Sequence, residues 1–517
     1  MRILGISSMF HDASTCVIED GEILFAGHSE RYSRVKNDAY LNQRLMKDTL
    51  KYGLPDIIVL HESSKLKNKR RLKQFTWASI KAAFTEPTAE EWIAKFYPQL
   101  KGIPIINCLH HESHAAAGIM TAPEHFKDAV IMTIDAIGEY QTSTIYRWGN
   151  DRYGKTKMEL LHETNYPNSL GLFYSAVTSA VGLKPMEDEY ILMGMAAYGK
   201  PVYADKMNKE LFKHQSADDN LHECLHTVNM SKGLPKNFMP AEAYKDEQIQ
   251  FDLAASAQQV CEERIMAYAR LAWTYTQSKN LVFMGGCALN CVANSLLYNQ
   301  YQNIHIMPNP GDAGSALGAA ALAYHKQTGE KVNWKGPFLG YNIKGKWPKE
   351  KFLESMRKGQ IFGVANGKAE YGPRALGNRS LFADPRGDEI KDKVNEIKRR
   401  QKFRPFAPIV LEEHASDWFE MPGGVIDSPY MQFVAKCKQP DIIPAVVHGD
   451  GTSRVQTVNR KNHPELYHAM RQWHAESGCP VVLNTSLNIK GQPIVNTEQE
   501  AKEFATHYKV PVHVQED

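Results

Sequence analysis

"RILGISSMFHDASTCVIEDGEILFAGHSE", residues 2–30, decides how the chain is read. The apolar run "RILGIS" meets a polar turn, "SMFHDAS"; the extended run "TCVIED" follows, and after Gly21 "EILFAGHSE" completes a third. Short apolar runs bounded by Gly, Asp and Ser read as strands joined by tight turns. The pattern returns at Ala129 as "AVIMTI", the turn "DAIGEYQTS", "TIYRW" and the turn "GNDRYG". Each unit sets an Asp and small or hydroxyl residues between adjacent strands, where backbone N–H groups and a carboxylate can face a phosphate or a metal. A duplicated strand-turn-strand predicts an α/β chain of actin-like, sugar-kinase-like architecture with a nucleotide between its halves.

Helices are expected next. "SLGLFYSAVTSAVG" and "DLAASAQQVCEERIMAYARLAWTYTQ" carry apolar residues at helical spacing, and "NLVFMGGCALN" reads as a buried strand entering a Gly-Gly turn. "GDAGSALGAAALAYH" opens with Asp and predicts a helix N-terminus. Periodicity stops where Gly, Pro and Lys accumulate near 340–348, so a first domain is placed at 1–342 and a second α/β domain at 343–517. "GNDRYGKT", residues 149–156, matches the P-loop pattern, but it follows a hairpin strand and no helical stripe follows it. A hairpin turn explains it better.

At 517 residues, two or three domains are the prior. No signal peptide or membrane-length apolar run is visible, and eight scattered cysteines suit reduced thiols, so a cytoplasmic protein with no membrane partner is expected. Net charge of +3 names no partner. Locally, residues 61–81 hold seven basic residues against one acid, with Phe75 and Trp77 interleaved, a pattern that suits a nucleic-acid backbone and its bases. Lys36, Arg31 and Arg34 are placed on the same side. A solvated helix face is the bland alternative.

"HHESHAAAG" follows the apolar run "IPIIN" and sets His110 and His114 four residues apart, one helical turn on one face. That is a chelating spacing, and imidazole suits iron, zinc or manganese. Asp135, at the end of "VIMTI", and Asp312, in "NPGDAGSALG", are placed to complete a four-ligand shell.

"HHESH", "IDAIGE", "MGGCALN" and "GDAGSALGAA", in that order, and then "MGMAAYGKP", "EYGPRALGNRS", "KFRPFAP", "DGTSRVQTV" and "NTSLNIKGQPIV" resemble the carbamoyltransferase family typified by NodU and CmcH. The resemblance covers nearly the whole chain. It implies an ASKHA-type (Kae1-like) duplicated N-terminal part and a C-terminal YrdC-like domain. In that family the second domain joins ATP, with its Mg, and carbamoyl phosphate into carbamoyl adenylate and pyrophosphate. The first uses a metal, Fe(II) or else Mn or Zn, to pass the carbamoyl group to a hydroxyl. Carried over to this sequence, His110, His114, Asp135 and Asp312 hold the metal, and His11, beside Asp12, is the base. Gly138, Glu139, Gly285, Gly286 and Asn290 accommodate the adenylate. Arg374, Arg379, Lys398, Arg400 and Arg404 supply cations for phosphates, and Asn378, Ser380, Asn484, Ser486 and Asn488 donate to phosphate or carbamoyl oxygens. This sequence departs from the family pattern at Ala136, Ile191, Gln401 and Leu487, none of which is a proposed metal ligand.

The expected acceptor is the hydroxymethyl group of a modified pyrimidine in DNA, 5-hydroxymethylcytosine, with the basic run as its docking surface. A small natural-product or sugar hydroxyl is the alternative. Threonylcarbamoyl transfer to tRNA, a sugar kinase and a non-catalytic scaffold are further readings. A homodimer is the default assembly.

Overall fold

A computed structural model describes residues 1–73, 77–212, 233–387, 389–401, 404 and 406–516. Two compact units form. The first comprises Met1–Ala26, Ala39–Leu41 and Thr49–Trp334; the second comprises Gly27–Asp38, Asn42–Asp48 and Lys335–Asp517. The second unit is therefore not built from the C-terminal stretch alone, and Arg31, Arg34 and Lys36 belong to it rather than to the side where the sequence put them.

The first unit carries two sheets of five strands, built from β1 (Arg2–Ser7), β2 (Ser14–Glu19), β3 (Glu22–His28), β4 (Ile57–Leu60), β5 (Ile105–Asn107), β6 (Ala129–Ile134), β7 (Gln141–Asn150), β8 (Thr156–Asn165), β9 (Asn280–Met284) and β10 (Asn303–His305). Their orders are β3-β2-β1-β4-β5 and β8-β7-β6-β9-β10. In each, the first strand pairs antiparallel with the second and parallel with the fourth, which pairs parallel with the fifth. The same order and the same pattern of directions appear twice, so the repeat seen in the sequence is a repeat of topology: the duplicated actin-like plan. Strands β1, β6 and β9 are apolar and buried along nearly their whole length, as central strands with parallel neighbours are.

Four helices matter to the site: α1 (His110–Thr121), α2 (Leu170–Ala180), α3 (Glu247–Thr276) and α4 (Ser315–Thr328). Ser169 caps α2 through the Leu172 N–H, and Asp246 caps α3 through the Ile249 N–H. Helix α4 packs at backbone contact on two sides. A Cβ at Gly318 would lie 1.8 Å from the Ser113 carbonyl oxygen of α1, and one at Gly5 would lie 1.9 Å from the Ala316 carbonyl oxygen. The small-residue stripe of "GSALGAAALA" is thus what lets α4 approach α1 and β1 together.

The candidate P-loop is the β7–β8 hairpin turn, where the Asp151 carboxylate accepts from the N–H groups of Tyr153 and Lys155. In the second unit an eight-stranded sheet runs from Phe419–Glu420 at one edge to Val512–His513 at the other. Phe352, Phe362, Phe382 and Met470 are buried in the core beside it. No helix among the described residues is long and apolar enough to cross a membrane.

Candidate metal centre and cation cluster

The histidine pair is set by α1, and the two carboxylates by a strand end and a helix start. Asp135 follows β6; its N–H bonds the Thr142 carbonyl and its Oδ1 accepts from the Ala136 N–H at 2.7 Å. Gly285 lies alongside at φ +89°, where a Cβ would sit 2.3 Å from the Ile134 carbonyl oxygen. A Cβ at Gly286 would sit 3.0 Å from Asp135 Oδ1. At 285 the backbone alone requires glycine, and at 286 Asp135 leaves little room for a side chain. Asp312 occupies a 3₁₀ turn, Asp312–Gly314, directly before α4. It makes no side-chain cap there; its carboxylate turns to the histidines.

The two Nε2 atoms of His110 and His114 lie 3.1 Å apart. His110 Nε2 is 3.5 Å from Asp135 Oδ2 and 3.4 Å from Asp312 Oδ1; His114 Nε2 is 2.9 Å and 3.3 Å from the same oxygens. A tetrahedral shell with metal–ligand bonds of about 2.1 Å has edges of about 3.4 Å, and adjacent ligands of an octahedral one lie about 3.0 Å apart. The observed separations, 2.9–3.5 Å, span these two values. All four residues are buried. Burial opposes charge on every one of them, yet Asp312 and Asp135 raise His110 and His114, and the histidines lower both carboxylates. Two ionised carboxylates facing two ring nitrogens make a pocket whose charge a divalent cation balances. The residues fit such a metal.

His11 reaches the same carboxylate, with Nε2 3.4 Å from Asp312 Oδ2 and Nδ1 2.9 Å from Asp12 Oδ2. Burial lowers its pKa, but Asp312 and Asp12 outweigh that and hold it up to about 9. His111 points elsewhere, its Nδ1 2.5 Å from Thr133 Oγ1.

Three residues assigned to nucleotide have other duties. Gly138 packs on His110, whose Cβ would be 2.9 Å from an added methyl. Glu139 accepts from the backbone N–H groups of Ser63 (2.8 Å) and His110 (3.1 Å), so it satisfies the N-terminus of α1. Asn290 accepts from the Ala293 N–H and exchanges two bonds with the Gln258 amide, which occupies its polar atoms.

In the second unit the cations divide. Lys398 is buried; its Nζ donates to the Ser486 carbonyl, lies 3.2 Å from Ser486 Oγ and reaches Asn488 Oδ1 at 2.9 Å. Burial lowers its pKa strongly, and Arg400, Arg404 and Lys36 push the same way. Four basic groups thus share one region of the fold, which suits an anion that would restore the charge of Lys398. Lys36 was not assigned there from the sequence, because only the fold shows that its segment joins this unit.

Arg379 is the opposite case. Fully buried, it gives its guanidinium to the carbonyls of Asn366, Gly367, Asn378, Tyr341 and Asn496. It is an internal strut and not a phosphate ligand. Ser380 Oγ accepts from the Gly377 N–H, Asn378 links Lys368 to His463, and Asn484 donates to Ala375 and Gln456. These three hold the "GPRALGNRS" loop together. Arg374 is half-buried in that loop.

The basic run is likewise divided. Lys67 and Arg70 point inward on the helix Ser64–Lys73, and Arg71 pairs with Glu86; Lys65, Lys69 and Lys73 stay exposed. Trp77 is 80% exposed; Phe75 lies outside the described residues.

Residues 73–321 match the family model described as carbamoyltransferase N-terminus, and residues 353–517 match carbamoyltransferase C-terminus. The chain is 31% identical to nodulation protein NolNO of Sinorhizobium fredii over 96% of this chain and 76% of that one. It is 26% identical to the 3'-hydroxymethylcephem-O-carbamoyltransferase of Amycolatopsis lactamdurans over 94% and 93%. An uncharacterized protein of Synechocystis sp., sll1178, is 30% identical over 97% and 93%.

Proposed function

The chain belongs to the carbamoyltransferase family, and on that premise we propose that it transfers a carbamoyl group to the hydroxyl of a small organic acceptor. The donor is carbamoyl adenylate, made with pyrophosphate and phosphate from ATP, its Mg, carbamoyl phosphate and water. The observation that carries this reading is the pairing of a buried His2Asp2 quartet in one unit with a cation cluster in the other.

The second unit, YrdC-like in this reading, forms the adenylate. Lys398, held by Ser486 and Asn488, is poised beside Arg400, Arg404 and Lys36 to bind phosphate oxygens, with Arg374 at the neighbouring loop. In the first unit His110, His114, Asp135 and Asp312 hold a divalent transition metal, with Fe(II) preferred to Mn or Zn. When bound, the metal supplies Lewis-acid polarisation of the carbamoyl donor. Asp12 and Asp312 orient the His11 imidazole from its two nitrogens. Held up to about 9, His11 is an imidazolium at neutral pH and is set to donate a proton; taking the proton of the acceptor hydroxyl requires that it first give one up.

The hydroxymethylated DNA acceptor is the second reading. Exposed Lys65, Lys69, Lys73 and Trp77 favour it, while Lys67, Arg70 and Arg71 are taken up by internal partners. The test is mass spectrometry after incubation with ATP, carbamoyl phosphate and Fe(II). The acceptor panel contains aminoglycoside, macrolide and sugar alcohols, plain DNA, and DNA bearing 5-hydroxymethylcytosine. A carbamoyl gain on a small alcohol with both DNAs untouched supports the proposal. A gain on the hydroxymethylated DNA alone replaces it with the second reading.

A further inference from the structure

The helix Ser64–Lys73 raises a question that neither acceptor reading answers: two of its cations are buried. Lys67 and Arg70 are three apart and share a helix face; they are 6% and 7% exposed. Desolvating two cations is costly unless each has fixed partners; Lys67 has Glu62 and a carbonyl, while Arg70 has one carbonyl and leaves its Nε without a partner.

Lys67 Nζ lies 2.5 Å from Glu62 Oε1 and donates to the Met9 carbonyl oxygen at 3.2 Å. Its ammonium stands over the Phe10 ring, 5.2 Å from the centroid. The loop it grips turns at Met9 (φ 76°) and Asp12 (φ 54°) and carries His11 between them. Positive φ at two residues with side chains is strained backbone, which persists where surroundings over-determine it. Arg70 Nη1 donates to the Gly138 carbonyl, in the loop between Asp135 and Glu139 that packs on His110. His61, Glu62 and His110 form a second group with the donor set of a metal site. There the Lys67 ammonium, bonded to Glu62, already supplies the cation.

We propose that the helix Ser64–Lys73 is an internal brace of the metal centre, with Lys67 and Arg70 as positioning residues that fix the His11 loop and the Asp135–Glu139 loop through one carbonyl each. The proposal rests on the metal reading only for its consequence in metal affinity; the bracing itself does not depend on it.

Two amides report on the two loops: Met9 N–H bonds the Ala39 carbonyl, and Gly138 N–H bonds the Gln141 carbonyl, each at 2.8 Å. Hydrogen exchange of the full chain, read by mass spectrometry on peptides covering each loop, is the experiment. Lys67→Met is expected to speed exchange at Met9 at least tenfold and to leave Gly138 unchanged. Arg70→Gln does the reverse, and Arg70→Lys recovers part of the protection. Lys67→Gln serves in place of Lys67→Met where the latter does not fold. Lys69→Met, exposed on the same helix, changes neither. Titration with Co(II) then shows binding about 10–100-fold weaker in Arg70→Gln, the usual cost of losing an outer support of a metal site. Unchanged exchange at both loops overturns the proposal, and so does uniform acceleration across the first unit. Failure of the unaltered protein to bind Co(II) sinks the metal reading and leaves the exchange result standing.

Discussion

His110 and His114 turn their Nε2 atoms towards each other at 3.1 Å, with Asp135 and Asp312 each within reach of both. Two nitrogen lone pairs so close need a proton or a metal between them. His114→Ala removes one ligand and leaves Asp135 and Asp312 to repel each other. Metal content, measured by inductively coupled plasma mass spectrometry after loading with Fe(II) or Co(II), is expected to fall from about one ion per chain to less than about a tenth. The circular dichroism spectrum is expected to stay native. Full metal content in the variant would remove the quartet as the binding site.

Lys398→Met is expected to lower pyrophosphate release from ATP and carbamoyl phosphate by at least about 100-fold, because it removes a buried amine from the cluster proposed to bind phosphate. Lys398→Arg is expected not to restore it, since the fork cannot occupy the narrow position between Ser486 and Asn488. Metal content is unaffected in both. Retained pyrophosphate release in Lys398→Met would place adenylate formation elsewhere.

His463 gives a pH dependence with a definite sign. Its Nδ1 accepts from the Leu466 N–H and caps the helix Pro464–Ser477, so its proton sits on Nε2, which bonds Asn378 Oδ1 at 3.1 Å. Burial lowers its pKa from 6.5 to about 4. Folding holds this histidine neutral while the unfolded chain protonates it, so its stability contribution is complete above pH 6.5 and lost as pH falls to about 4. The window is worth about 3 kcal/mol. His463→Asn keeps an N-cap acceptor without a titrating group. Its unfolding free energy between pH 7 and 4.5, followed in urea, is expected to fall less steeply than that of the unaltered chain, by one proton. Equal slopes would refute the assignment.

Gly318→Ala places a methyl where the Ser113 carbonyl already stands. Separating α4 from α1 is expected to cost about 2–4 kcal/mol and to lower metal affinity, because Asp312 leads into one helix and both histidines lie on the other. Thermal unfolding with a parallel Co(II) titration reads both effects. An unchanged midpoint would show that α4 has room to shift.

The duplicated sheets and the quartet were legible in the sequence for a common reason. Strand runs end in Asp or meet Gly-rich turns, and His110 and His114 repeat at one helical turn, so chemistry and periodicity coincide. Where a residue type has two uses, the sequence does not choose between them. Arg379 and Arg404 look alike in a basic motif, yet backbone carbonyls of the fold claim the first entirely. Gly285 and Gly286 look like a ligand cradle, and the nearness of β6 and Asp135 gives them a second use that the sequence does not show. Lys67 and Arg70 were hidden within a run of charges because their partners, Met9 and Gly138, are 58 and 68 residues away.

The segment Gly27–Asp38 has a consequence for how the molecule is made. Arg34 donates to the carbonyls of Pro493 and Ile494, and Arg31 to that of Gly372. Their partners lie 341 to 460 residues further along, so these contacts form only after all the intervening chain has emerged. The second unit therefore closes late, on a piece made long before the rest of it. Splitting the gene at residue 335 would leave its C-terminal product without that piece.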